Sequence, residues 1–183
     1  MERRFVIDLC CGLGGWAPPF LARGFQVIGF DIEPFPTYPG DMVQQDIATL
    51  DGRRFRGATV IVASPPCQEF SRHDLPWTRA RNPPPPDLGI QLVNHCHRIA
   101  AEAGVPLVLE NVRGAARWIG HPVARHGRQY LWGDGVPALI PKKPNQPDKS
   151  LVWGSDKKKA AVRSLIPFGL ADYIAWVYSG QEE

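Results

Sequence analysis

Two rhythms of hydrophobic and polar positions alternate along the first two-thirds of the chain. Phe5-Val6-Ile7-Asp8-Leu9, Gln26-Val27-Ile28-Gly29-Phe30, Thr59-Val60-Ile61-Val62-Ala63 and Pro106-Leu107-Val108-Leu109-Glu110-Asn111 are short, nearly continuous apolar runs. Such runs mark strands buried on both faces. Residues 44–50 predict a further short strand. Between them, residues 16–23 (stopped by Gly24) and 88–103 (closed by Gly104) carry helical spacing. Strands alternating with helices predict an α/β fold: a mostly parallel sheet with helices on both faces. Sheets of this kind bind ligands at the carboxyl ends of their strands. Near the end of the chain, apolar residues return at three- and four-residue spacing, predicting a helix over 164–179 that packs on this core.

Two stretches break the rhythm. Pro83-Pro84-Pro85-Pro86 fits neither a helix interior nor a central strand. Residues 68–87 are therefore expected to form a mobile loop, and loops of this length are often functional. From Gly133 to about residue 163, prolines, glycines and lysines dominate. Lys142 to Lys159 hold six lysines against two aspartates. This is either a solvated basic loop or a flap that contacts phosphates.

Composition narrows the picture only a little. The chain has 183 residues, suited to one domain over 1–183, and a formal net charge of +3, a weak hint of a polyanionic partner. The four cysteines, Cys10, Cys11, Cys67 and Cys96, form no C-x-x-C pair, so neither a zinc site nor a disulfide framework is expected. His95 and His97 beside Cys96 read as packing rather than metal ligands. No stretch resembles a signal peptide or a membrane span, and the expected location is the cytoplasm.

The candidate chemistry lies where the strands end. Asp8-Leu9-Cys10-Cys11-Gly12-Leu13-Gly14-Gly15-Trp16-Ala17 follows the first strand. Gly12, Gly14 and Ala17 fit the G-x-G-x-x-[GA] pattern that lets a ligand approach backbone at a helix start. Asp31 ends the second strand, 17 residues after Gly14, where a carboxylate can accept from both hydroxyls of an adenosine ribose. A nicotinamide dinucleotide and S-adenosylmethionine both fit so far. Ser64-Pro65-Pro66-Cys67-Gln68 then places a cysteine in a stiff loop beside that pocket, a position suited to a nucleophile. Glu110-Asn111-Val112 ends the neighbouring strand, so Glu110 and Cys67 are expected to face one ligand.

With these motifs in this order, joined by Asp46-Ile47 and a degraded Arg125-His126-Gly127-Arg128-Gln129-Tyr130, the sequence resembles the DNA cytosine-5 methyltransferase family. The resemblance implies a Rossmann-like methyltransferase fold using S-adenosylmethionine. It implies Cys67 as the nucleophile that adds to C6 of cytosine, and Glu110 as the group that binds N3 and the exocyclic amine. Arg128 would help hold the base, Asn111 would organise the Pro66-Cys67 loop, and Gln68 belongs to the same motif. The cofactor would lie against Asp8, Cys10, Cys11, Gly12, Leu13, Gly14 and Gly15, with Asp31 on the ribose and Ile32 on the adenine. Asp46 would accept from the adenine amine, with Ile47, Pro66 and Leu92 nearby. Cys10 departs from the family, which usually has an aromatic residue there.

A cytosine in duplex DNA must flip out before C6 can be reached. The resemblance makes residues 68–87 the loop that closes over it, with Ser71, Arg72, His73, Arg79 and Arg81 as DNA contacts. His126, Lys142, Lys143, Lys157, Lys158 and Lys159 are further candidates. The family usually inserts a target-recognition region where this chain has only residues 133–163. So small a surface reads few base edges, which implies a short or relaxed target. The expected protein is a monomeric DNA methyltransferase of a prokaryotic or phage-infected cell, without metal. An RNA or nucleotide cytosine-5 methyltransferase, or a non-catalytic protein on the same fold, are the competing readings.

Overall fold

In the computed structural model, residues 4–74, 76–138 and 165–180 are described. The apolar runs become β1 (Phe5–Leu9), β2 (Gln26–Asp31), β4 (Val60–Ala63) and β5 (Leu107–Asn111). β3 is Asp41–Gln44, and α1 (Ala17–Ala22) links β1 to β2. The helices α2 (Gln68–Asp74) and α3 (Pro76–Arg79) follow β4, and α4 (Asp87–Ala103) precedes β5. After β5 come α5 (Ala116–Ile119), a hairpin of β6 (Ala124–His126) and β7 (Gln129–Trp132), and finally α6 (Phe168–Ser179).

The sheet has seven strands in the order β3-β2-β1-β4-β5-β7-β6. β3, β2, β1, β4 and β5 run parallel, and β7 is antiparallel to both neighbours. This is the mostly parallel α/β sheet with helices on both faces that the sequence implied. Alternate residues of each inner strand enter opposite layers, as strand geometry requires. Ile7, Leu9, Ile61, Ala63, Leu107 and Leu109 pack against α4 and the 3-10 turns. Val6, Val60, Val62 and Val108 pack against α1 and α6. Full burial of each such aliphatic side chain stabilises by about 1.5–3 kcal/mol.

Two expectations on local structure are corrected. Residues 44–50 are not a strand: β3 ends at Gln44, and a 3-10 turn, Ile47–Thr49, follows. The Asp46 carboxylate accepts from Ala48 N–H at 2.9 Å and starts that turn. Ile47 and Leu50, three apart, then both reach the core. Residues 68–87 are not a continuous loop either. α2 is anchored by fully buried Phe70 and by Glu69, which accepts from Gly89 N–H at the start of α4. Among the described residues of this stretch, the irregular part is the segment around the proline run.

Among the described residues no helix is long and apolar enough to cross a membrane, and no cluster of His, Cys, Asp and Glu could hold a metal ion.

Candidate active site

The register of the parallel strands fixes the level of the candidate residues. Leu9 pairs with Ala63, and Ala63 with Leu109. The next residues, Cys10, Ser64 and Glu110, therefore emerge side by side at the carboxyl edge. A cavity of about 550 Å³ opens there. Its β1–β2 wall includes Cys10, Gly12, Asp31 and Ile32, and its β4–β5 wall includes Pro66, Cys67, Gln68 and Glu110.

The β1–β2 wall is shaped by backbone. Cys10 has φ +54° and Gly12 φ +51°, so the chain turns sharply as it leaves the strand. Asp31 receives Gly12 N–H at 3.0 Å on one carboxylate oxygen and Glu33 N–H at 3.1 Å on the other. A carboxylate offers about four lone-pair sites, so Asp31 can still accept from a ligand's hydroxyls. Ile32, 65% exposed, presents an apolar face beside it. Gly15 is needed for a different reason: a Cβ there would lie 2.7 Å from the Ile166 backbone nitrogen. That contact seats the segment leading into α6 against the cavity, where Leu165 and Ile166 complete the wall.

The β4–β5 wall is a hydrogen-bonded frame. Asn111 is 1% exposed. Its amide donates to the Pro65 carbonyl at 2.9 Å, and its oxygen accepts from Val112 N–H at 2.9 Å. The loop that carries Cys67 is thereby tied to the end of β5. Trp16 Nε1–H donates to Ser64 Oγ at 2.9 Å, and the Ser64 hydroxyl bonds the Glu110 carboxyl. Burial pushes Glu110 up to about 8, against the opposing pull of that hydroxyl. Burial also raises the Cys67 thiol, and the Glu110 charge adds to this. The Ser71 hydroxyl, one helical turn along α2, partly offsets the rise. Burial thus favours the protonated form of both groups.

The hairpin brings in Arg128. Because β7 runs antiparallel to β5, with Tyr130 opposite Asn111, the β6–β7 turn lies beyond the carboxyl end of β5. Gly127, φ +62°, makes the turn, and Arg128 and Gln129 reach the cavity.

Most of the catalytic and cofactor candidates from sequence meet in this one cavity: Cys10, Cys11, Gly12, Leu13, Gly15, Asp31, Ile32, Pro66, Cys67, Gln68, Glu110 and Arg128. Others do not line it. Asp8 is fully buried below the glycine turn, where Tyr38 donates to it at 3.1 Å. Burial holds its carboxyl well above the ordinary range. Gly14 faces Tyr38 and Pro39 instead. Asp46 caps its 3-10 turn, and Ile47 and Leu92 pack on the α4 side of the core. Asn111 sits one layer beneath, as a strut.

Of the loop candidates, Ser71 contacts Cys67, and Arg72 and Arg81 are exposed. His73 and Arg79 line a second cavity. His126 is buried, 6% exposed, which removes its ring from a DNA-facing surface. Lys142, Lys143, Lys157, Lys158 and Lys159 lie outside the described residues. Sequence reasoning missed Trp16, Ser64, Phe35 and Ile166 as wall residues. Trp16 and Ser64 flank recognised motifs, but nothing local signals that they bond across 48 residues.

With this geometry in hand, comparison with known proteins adds the following. A family model described as C-5 cytosine-specific DNA methylase matches residues 5–117. The type II methylase M.HgiDII of Herpetosiphon aurantiacus is 31% identical over 81 residues, which is 37% of this chain and 23% of that protein. Among solved structures, an E. coli prophage protein described as a DNA modification methyltransferase shows 26% identity and a TM-score of 0.45. It covers 61% of this chain and 33% of its own. The S. pombe Dnmt2 methyltransferase shows 20% identity and a TM-score of 0.38, covering 63% of this chain and 36% of its own. The chain thus spans a minor part of the length of these relatives.

Proposed function

The chain belongs to the C-5 cytosine-specific DNA methylase family, and on that premise we propose that it transfers a methyl group from S-adenosylmethionine to C5 of cytosine in DNA. The observation that carries this reading is one shared cavity. A thiol, a neutral carboxyl and a pocket fit for adenosine open onto the same 550 Å³. A dinucleotide oxidoreductase would have no use for the first two.

The residues present fit the cofactor. Asp31 retains lone pairs for the ribose hydroxyls, Ile32 offers an exposed apolar face for adenine, and the backbone at Cys10 to Leu13 lines the way toward Cys67. When bound, S-adenosylmethionine supplies an electrophilic methyl group.

Cytosine C5 is a weak nucleophile while the ring is aromatic. The Cys67 thiol first gives its proton to solvent, and the thiolate then adds to C6, forming the S–C6 bond. The ring electrons move toward N3, which takes a proton from Glu110. C5 becomes enamine-like and accepts the methyl group. Loss of the C5 proton to a base and expulsion of the thiolate restore the ring, and N3 returns its proton. A Glu110 held up to about 8 starts this sequence protonated. Arg128 lies over the same cavity to hold the base, and Asn111 keeps the Pro65–Cys67 backbone fixed against β5. The target cytosine reaches Cys67 flipped out of the duplex. The short interval from 133 to 163 supports a short or relaxed target sequence.

The test is to incubate the protein with S-adenosylmethionine and duplex DNA containing 5-fluorocytosine. Fluorine cannot leave as a cation, so a covalent complex should accumulate and should vanish in Cys67→Ser. Absence of the complex, or its survival in that variant, would overturn the mechanism. Trapping on transfer RNA but not on DNA would move the reaction to RNA.

A further inference from the structure

The hydrogen bonds from Trp16 through Ser64 to Glu110 cross from the cofactor wall to the wall that faces cytosine. We propose that Ser64 is a positioning residue for the proton transfer, oriented by Trp16 so that its hydroxyl donates to one Glu110 oxygen and leaves the acidic proton on the other, facing the ring. This rests on the reading of the cavity as the site of cytosine methylation.

Strand register brings the groups together. Ala63 pairs with Leu109, so Ser64 and Glu110 are the next residues of adjacent parallel strands and send their side chains to the same side of the sheet. Both line the catalytic cavity, as does Trp16. The Ser64 backbone is pinned on either side. Its N–H donates to the Leu9 carbonyl at 3.2 Å, and the next carbonyl, that of Pro65, accepts from the buried Asn111 amide at 2.9 Å. Trp16 is 1% exposed and stands at the start of α1, directly after the glycine turn. Its indole is therefore fixed by packing. The hydroxyl hydrogen is the movable part of the chain, and the indole decides where it points.

Valence sets the direction. An indole N–H only donates, so Trp16 Nε1, 2.9 Å from Ser64 Oγ, occupies one lone pair of the hydroxyl. A hydroxyl that accepts one bond is a stronger donor in the next. Its single hydrogen goes to Glu110, and among the described residues Glu110 has no second hydrogen-bond partner. The oxygen that receives Ser64 is an acceptor, so the proton of the neutral acid sits on the remaining oxygen, the one left to meet N3 of the base.

The same bond grows stronger during the reaction. As the thiolate adds to C6, the proton leaves Glu110 for N3 and a carboxylate remains. The Ser64 bond then becomes charge-assisted, roughly twice as strong as a neutral one. Ser64 thus favours the form that Glu110 takes as the proton departs, which is how a fixed donor accelerates a step. In the resting protein the hydroxyl already pulls Glu110 down against the burial that pushes it up.

A serine that only satisfied a buried indole would be dispensable in Trp16→Phe, and the experiment uses this. It titrates the Glu110 carboxyl by carbon NMR of the full chain carrying isotope-labelled glutamate, with the signal identified by its loss in Glu110→Gln. Ser64→Ala should move the midpoint up by about 0.5 to 1, and Trp16→Phe should move it up by less. Adding Ser64→Ala to Trp16→Phe should raise it again. In turnover, Ser64→Ala should lower kcat about 3- to 10-fold with KM for S-adenosylmethionine unchanged. Ser64→Thr restores a hydroxyl and should recover most of that loss. A midpoint unmoved in Ser64→Ala overturns the proposal, as does an equal fall in kcat for Ser64→Ala and Ser64→Thr. A shift that disappears in the Trp16→Phe background also overturns it, leaving the serine a partner of the indole alone. If Ser64→Thr fails to fold, the titration decides. The titration needs neither cofactor nor DNA. A midpoint that moves as expected in a protein that forms no 5-fluorocytosine adduct would sink the catalytic reading and the positioning role with it, so the two failures are told apart.

Discussion

At the end of β2, Asp31 is clamped by two backbone N–H groups and turned toward the cavity as an acceptor. At the end of β5, Glu110 is enclosed, bonded by the Ser64 hydroxyl, and pushed up to about 8. The same residue class thus serves two ends of one cavity in opposite ways. Enclosure among apolar groups favours the neutral carboxyl at Glu110. The acceptor side suits hydroxyls that must be held through many turnovers. The proton-bearing side suits a ring that must be protonated only when a thiolate attacks it. Cys67, raised by the same enclosure, belongs to the second side.

The sharpest break of this comparison is removal of the proposed nucleophile. Cys67→Ala should lower methyl transfer by more than about four orders of magnitude, with cofactor binding kept, as read by calorimetry. Next comes Glu110→Gln, expected to reduce kcat/KM by about 10²- to 10³-fold. Its pH profile is the better test. On the proposed mechanism the reactive form has Cys67 ionised and Glu110 protonated, yet Glu110 at about 8 releases its proton before the raised thiol does. The reactive form is therefore a minor one. The parent kcat/KM should be bell-shaped in the alkaline range, with its rising limb near 8. In Glu110→Gln that limb should move up to the thiol's own ionisation. A rising limb unmoved by this substitution would refute the assignment.

Asn111→Ala should come third. It frees the Pro65 carbonyl and loosens the Cys67 loop, lowering kcat by about 10- to 100-fold with little change in KM for cofactor. Asp31→Asn, on the other wall, should do the reverse: KM for cofactor up by about tenfold and kcat nearly unchanged. The smallest effect is on stability. Unfolded, Glu110 ionises near about 4.3. Folded, it does so at about 8. Its folded-state pKa is raised, so the folded state binds the extra proton between those values. Stability is full below the lower value and declines as pH rises through the window. Glu110→Gln should flatten this decline, with the gain in stability appearing above pH 8 in denaturant titrations.

The cofactor wall was legible because its signals are local. The Gly12 to Gly15 turn, Asp31 at a strand end and Cys67 after two prolines each declare themselves within a few residues. Four of the inner strands were legible for the same reason. Residues 44–50 misled because Ile47 and Leu50 look like strand positions, while Asp46 starts a 3-10 turn that brings both to the core. The helices of residues 68–87 were hidden by the prolines around them, since Phe70 alone supplies the buried anchor of α2. The hairpin was missed because strands of three and four residues are too short to carry a hydrophobic period. The Trp16–Ser64–Glu110 chain could not be read at all, because its spacing exists only after β1, β4 and β5 align.

The reversed direction of β7 has a practical side. A parallel strand beside β5 would deliver its turn to the wrong edge of the sheet. The antiparallel one places a tight bend, His126 to Gln129, directly above the reactive centre while its two strands stay locked at the margin. That bend is a natural insertion point. Loops of differing length could be grafted there to redesign which bases the enzyme accepts, with the hydrogen-bonded scaffold that aligns thiol and carboxyl left untouched.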